Sequence, residues 1–135
     1  MIDVSCALII QDEKVLIAQN GPASDHPFQW EFPGGKIRKD EPPANSIMRE
    51  IREELEWDIE VIHEMVPVEF DYEIKKVRLF PFICLKAGGK LSLNDHLGIK
   101  WVGFAELLVS NLSAADKNLV RHPVNREILK KYIRE

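Results

Sequence analysis

Three glutamates packed into Glu50–Glu54 carry the strongest chemical signal in the chain. They lie in Ala44–Leu55, where Ala44, Ile47, Met48, Ile51 and Leu55 recur at three- and four-residue intervals. That spacing predicts a helix with one apolar stripe. At about 100° per residue, the apolar side chains fall in one arc and Glu50, Glu53 and Glu54 in another. Like charges this close on a helix repel. The residues alone leave two readings. One is a solvated acidic face, partly neutralised by Arg49 and Arg52. The other is a cation site, where a metal offsets the repulsion.

The residues upstream favour the cation. Gly34-Gly35 permits a backbone path closed to most residues, and such a loop can carry carbonyl oxygens close to the glutamates. Lys36 follows at once. Mg²⁺ takes oxygen ligands, keeps several waters, and sits where a few carboxylates meet substrate phosphates. The grouping therefore reads as a hard-cation site facing a phosphate-rich ligand.

The run Gly35-x5-Glu41-x7-Arg49-Glu50-Ile51-x-Glu53-Glu54 resembles the Nudix box. That pattern is Gly, five residues, Glu, seven residues, Arg-Glu, an aliphatic residue, any residue, Glu-Glu, any residue, Gly and an aliphatic residue. By average composition, matching the fixed positions by chance has odds on the order of one in ten million per start. The flanking order of strands and helices is similar to the Nudix fold over nearly the whole chain. The resemblance implies an α/β (α+β) class, an α/β/α sandwich around a mixed sheet, and one Nudix hydrolase domain over residues 1–135.

The resemblance also implies roles. Glu50, Glu53 and Glu54 would ligate Mg²⁺ or Mn²⁺, with the Gly34 carbonyl beside them. Glu53 would orient or deprotonate the attacking water. Arg49 would neutralise and orient a carboxylate. Glu41 would support the loop or an outer metal shell. Gly35 belongs to the motif, and Lys36 would meet substrate phosphates. Asp95, six residues before Trp101, matches a position where MutT-type members place an acidic metal ligand, whereas His96 beside it reads as a loop residue. Phe32 matches a base-pocket position. Asn125 lies within the apolar arc of the last helix, and the implied role is to read a nucleobase edge; a helix cap is the alternative. Phe80 and Phe82 are candidates for stacking surface or for core.

Two positions depart from the pattern. Glu56 stands where the box ends in Gly, followed by Trp57, so the end of the helix is in question. Asn20 stands where MutT-type members often have a phosphate-contacting Arg, and it carries no charge. The function implied is Mg²⁺-dependent cleavage of a nucleoside triphosphate to the monophosphate and pyrophosphate, clearing oxidised nucleotides such as 8-oxo-dGTP. The alternatives are CTP or dCTP, a nucleotide sugar or a dinucleoside polyphosphate, and a domain that binds nucleotides without turning them over.

The elements that position these residues follow from patterning. Asp3–Ile10 and Lys14–Gln19 form a hairpin about Asp12-Glu13. Asn20–Pro27 is a loop. Phe28–Phe32 is a short strand ended by Pro33-Gly34-Gly35. Pro42-Pro43 suits the start of the carboxylate helix. Ile59–Glu73 and Lys76–Lys86 alternate as strands, and Pro81 marks the second as an edge or a bulge. Leu91–Leu93 and Ile99–Phe104 are short strands, Ala105–Ser110 a short helix, and His122-Pro123 opens a final helix to about Arg134.

Composition narrows the remaining classes. The 135 residues are 45% hydrophobic and 30% charged, with net charge −4. That balance suits a folded domain. It argues against binding a nucleic-acid polymer, which calls for a basic surplus. The longest apolar run, Leu79–Leu85, holds Pro81 and is too short for a membrane span. Met1–Val4 shows no basic segment ahead of an apolar one, and Cys6 and Cys84 stand alone, so a reducing cytoplasm is expected. A small-molecule nucleotide is the expected partner, with the chain a monomer or homodimer.

Overall fold

The structure is a computed structural model describing residues 1–135. Strands β1 (Ile2–Gln11) and β2 (Lys14–Asn20) form a hairpin whose turn is Asp12-Glu13. Both turn residues have positive φ, 52° and 59°, the geometry that matches the twist of a two-residue hairpin. Then follow β3 (Trp30–Glu31), β4 (Gly34–Lys36), α1 (Pro43–Leu55), β5 (Trp57–Glu64), β6 (Val68–Asp71), β7 (Lys76–Gly89) and β8 (His96–Val102). Three helices close the chain: α2 (Phe104–Val109), α3 (Ala114–Arg121) and α4 (Pro123–Lys130).

The strands run in the order β3-β2-β1-β7-β5, with β8 on β2, β4 on β1 and β6 on β7. Only β1 and β7 pair in parallel; the other pairs are antiparallel. The mixed sheet is therefore the expected one. Successive side chains of a strand point to opposite faces, and β1 shows why both faces are covered. Cys6, Leu8 and Ile10 join a core with Leu119 of α3 and Leu129 of α4. Ala7 and Ile9 join a second core with Ile47, Ile51 and Leu55 of α1. The apolar stripe foreseen on α1 is what packs there.

Several expectations change. Ile59–Glu73 is not one strand, because Met65–Pro67 breaks it into β5 and β6. Pro81 lies inside the central strand β7 rather than on an edge. Its carbonyl accepts from the Met65 N–H, so its missing N–H faces the same break between β5 and β6, where no ladder bond is lost. Leu91–Leu93 forms no strand, and α3 had no place in the expected order. Two turns leave too short a periodic pattern to stand out. The last helix starts at Pro123, as expected, and ends at Lys130.

Candidate active site

The carboxylate helix is fixed to the sheet next to the glycine loop. Ser46 of α1 shares a buried hydrogen bond of 2.8 Å with Ser5 of β1. Ser5 pairs in turn with Gly35 of β4. The approach is too close for any side chain on that loop. A Cβ on Gly34 would strike the Ser5 carbonyl, and one on Gly35 would strike the Glu50 carboxylate. These glycines are required for space, not for an unusual φ.

Arg49 organises one side of the helix. Its guanidinium forks onto Glu41 at 2.8 and 2.9 Å. It also donates to Glu50 at 2.9 Å and to Glu53 at 3.2 Å. A further bond reaches the Lys36 carbonyl at 3.1 Å, which ties the loop to the helix. The hydrogen bonds from Arg49, and then the Arg38 N–H, hold the Glu41 carboxyl down at about 2. Glu50 is pulled both ways: burial raises it and Arg49 lowers it, with a net rise. Glu53 keeps half of its side chain exposed, facing the solvent from which a substrate arrives.

Glu54 lies outside this arrangement. It is 6% exposed, and its Oε2 has no hydrogen-bond partner. Burial, then the charges of Glu31, Glu50, Asp95 and Glu53, push its carboxyl up to about 9. Its neighbours are Glu31 of β3 and His96 of β8. His96 Nε2 lies 2.9 Å from Glu31 and 3.9 Å from Glu54. One donor atom from each of the three residues fits within 4.8 Å of the others. An orphaned, buried carboxylate oxygen in such a group is what a divalent cation would satisfy, so the residues fit a metal.

A cavity of about 180 Å³ adjoins this group, sharing Glu31 with it and Gly34 with the glycine loop. Phe32, Tyr72, His26, Lys75, Ser113 and Asp116 line its walls. Asp116 of α3 is buried, and its Oδ2 accepts from the Phe32 N–H at 3.0 Å. Burial, and then the charge of Glu31, raise its carboxyl to about 7. The Tyr72 hydroxyl accepts from the Ala115 N–H at 2.9 Å. At the mouth, the His26 and Tyr72 rings lie 4.9 Å apart, and Lys75 pairs with Asp25 at 3.2 Å. A larger cleft of about 610 Å³, beside Arg78 and Arg121, contains none of these groups.

The structure gathers some of the expected residues and not others. Gly35, Glu41, Arg49, Glu50 and Glu53 gather along one side of α1, next to Gly34, and Glu54 lies on another side with Glu31 and His96. Lys36 is exposed beside them. Asp95 is exposed, with its charge felt by Glu54. Phe32 lines the cavity. Asn125 does not: its oxygen accepts from the Val66 N–H at 2.7 Å and its nitrogen donates to the Val66 carbonyl at 2.8 Å. It braces α4 against the break between β5 and β6. It is not the cap of α4 either, since His122 Nδ1 accepts there from the Val124 N–H. Phe80 and Phe82 pack in the core beneath α1, away from the cavity walls. Asn20 is buried and donates to the His26 carbonyl at 3.2 Å, so it shapes the loop at the mouth. His96 is a buried strand residue and not a loop residue. Glu56 does end α1 in the left-handed region, at φ 56°.

Sequence reasoning passed over Asp116, Tyr72 and Glu31, and read His96 as a loop residue. Asp116 had a signal: it sits inside the short apolar pattern Ala115, Leu119, Val120, where a carboxylate is out of place. Tyr72 continues the alternation of Val68 and Phe70, which marks an inward face but no polar role, and His96 stands in no periodic position.

Comparison with known proteins agrees with this geometry. A family model described as NUDIX domain matches residues 1–123. The CTP pyrophosphohydrolase of Escherichia coli (strain K12) is 32% identical over 116 residues, 86% of each chain. An 8-oxo-dGTP diphosphatase of Buchnera aphidicola (subsp. Schizaphis graminum) is 24% identical over 118 residues, 87% of this chain and 89% of that one. Among solved structures, the E. coli ORF135 protein superposes with a TM-score of 0.79 at 29% identity, covering 96% of this chain and 89% of that one. The MutT protein of Methanosarcina mazei gives 0.79 at 23% identity, covering 96% and 93%, a likeness of fold. Family match, sandwich architecture and carboxylate helix all coincide: the chain belongs to the Nudix family and is a MutT-type pyrophosphohydrolase.

Proposed function

We propose that residues 1–135 act as one Mg²⁺-dependent nucleoside triphosphate pyrophosphohydrolase, cleaving the triphosphate with water to the monophosphate and pyrophosphate. Glu50, Glu53 and Glu54 hold the cation, with the Gly34 carbonyl beside them, and Mn²⁺ can replace Mg²⁺. Such an ion would offset the charge of the substrate phosphates and would lower the pKa of a water. Glu53 stands at the solvent edge and takes the proton of the attacking water. Arg49 fixes Glu53 and Glu50 in place by the hydrogen bonds described above. Lys36 meets the phosphate chain, and Asp95 guards the outer rim.

The observation that carries the choice of base is Asp116 in the wall of the cavity beside Gly34. One of its oxygens is occupied by the Phe32 N–H. With a proton on the other, the carboxyl presents a donor beside an acceptor. Cytosine offers the matching edge, an amino donor next to a ring acceptor. Guanine offers two acceptors there, O6 and N7. Oxidation to 8-oxoguanine places a proton on N7 and restores a donor beside an acceptor. CTP or dCTP is the first reading, supported by the E. coli relative. 8-oxo-dGTP is the second, supported by the Buchnera relative, and it would give the protein a role in clearing damaged nucleotides.

The test is kcat/KM for CTP, dCTP, 8-oxo-dGTP and dGTP with Mg²⁺, with products identified. We expect dGTP to be the poorest by about tenfold or more, the cost of one mismatched hydrogen bond. The donor exists only while Asp116 is protonated, so KM for the favoured base should rise as pH passes about 7. Asp116→Asn keeps the Phe32 bond and a permanent donor, and should flatten that rise. Equal turnover of dGTP and CTP would overturn the reading.

A further inference from the structure

We propose that His96 supplies a nitrogen ligand which, with Glu31 and Glu54, makes a cation site of mixed donors that takes Mn²⁺ or Zn²⁺ in preference to Mg²⁺. The proposal rests on the reading that α1 holds a divalent cation, and adds which side chains complete the site and which ion they select.

The backbone aims His96 at the carboxylates. Gln19 of β2 pairs with Gly98 of β8, whereas Asn20 pairs with His96, so Leu97 is an extra residue in the ladder. Such bulges re-aim side chains. Leu97 is 54% exposed, while the His96 side chain is 3% exposed and reaches across β2 to Glu31. Next to them the Glu54 side chain is 7% exposed.

The three groups are short of a cation. Nε2 lies 2.9 Å from Glu31, so any proton it carries is shared there, and Nδ1 is buried without a partner. Glu54 Oε2 remains buried without a partner. Arg49 is committed to Glu41, Glu50 and Glu53. A proton on Glu54 would not solve the problem, because its O–H would then need an acceptor. A divalent ion accepts lone pairs from both carboxylates and from Nε2 together, and its charge balances theirs. Imidazole nitrogen is a ligand for zinc and other transition metals, whereas Mg²⁺ is served by oxygen alone.

The test is ¹⁵N spectroscopy of the histidine side chains in the full chain during separate titrations with Zn²⁺ and Mg²⁺. The chain has four histidines, and His96→Gln identifies the signal of interest. Zn²⁺ should move the His96 ring nitrogens at stoichiometric addition, and Mg²⁺ should not. By calorimetry, His96→Gln should weaken Mn²⁺ binding about tenfold or more and change Mg²⁺ binding less than about twofold. Tight Zn²⁺ or Mn²⁺ binding with His96 unmoved overturns this proposal and leaves the cation reading intact. Absence of any divalent binding overturns both. The wild-type titration decides the point even if the variant folds poorly.

Discussion

Two sides of one helix treat the same residue type in opposite ways. On the first, Glu41, Glu50 and Glu53 surround the Arg49 guanidinium. On the second, Glu54 is buried against Glu31 and His96 with no fixed cation. The Glu41 carboxyl is held at about 2 and that of Glu54 is pushed to about 9. A permanent counter-charge makes the first side stable by itself. The second has no fixed counter-charge.

The largest expected effect tests the first side. Glu53→Gln should lower kcat by about a thousandfold, the usual weight of a positioned base. Because Glu53 is half exposed, the unfolding midpoint should hardly move. A loss of activity matched by a loss of stability would instead make Glu53 structural.

Next in size is a gain of stability on the second side. The Glu54 carboxyl rises from an ordinary 4.5 to about 9 on folding. Between those values the folded chain holds more protons than the unfolded one, so metal-free stability should fall as pH rises across that window. Glu54→Gln should abolish this slope and stabilise the metal-free protein at pH 8 by up to about 5 kcal/mol. It should also cost activity. Urea titrations across pH, with and without Mg²⁺, check both the slope and its removal by the ion.

A milder change sharpens the contrast. Arg49→Lys keeps the charge and loses the fork that spans Glu41, Glu50 and Glu53. Activity should drop about 10- to 100-fold, as for other groups that orient metal ligands. KM should change little, since Arg49 acts through the glutamates.

The smallest effect lies where α1 ends. Glu56 adopts φ 56°, a conformation that costs a side-chain-bearing residue about 1 kcal/mol. Glu56→Gly should recover about that much in urea unfolding and leave turnover unchanged.

The carboxylate helix was legible because its signals are local. Spacing placed the apolar stripe on one side and the glutamates on another, and both survive in α1. The hairpin about Asp12-Glu13 was equally local. The single strand expected over Ile59–Glu73 failed at Met65–Pro67, where the apolar alternation changes phase between Met65 and Val68 and Pro67 interrupts it. Asn125 showed the limit most directly. Its place on the inner face of α4 was readable, but its partner, the Val66 backbone, lies 59 residues away.

From the sequence alone came the chemistry on offer: the Gly35–Glu54 spacing, the carboxylate count, and the family these residues resemble. Those are matters of residue type and helical period, fixed within one segment. Only the tertiary structure decided which carboxylates receive the fixed Arg49 cation and which one is buried without a partner. It also brought Asp116 to Phe32 and His96 to Glu31, across 84 and 65 residues of chain. Burial and electrostatic pairing depend on what the folded sheet places alongside each group. That arrangement is set by long-range packing and is written in no single stretch of the chain.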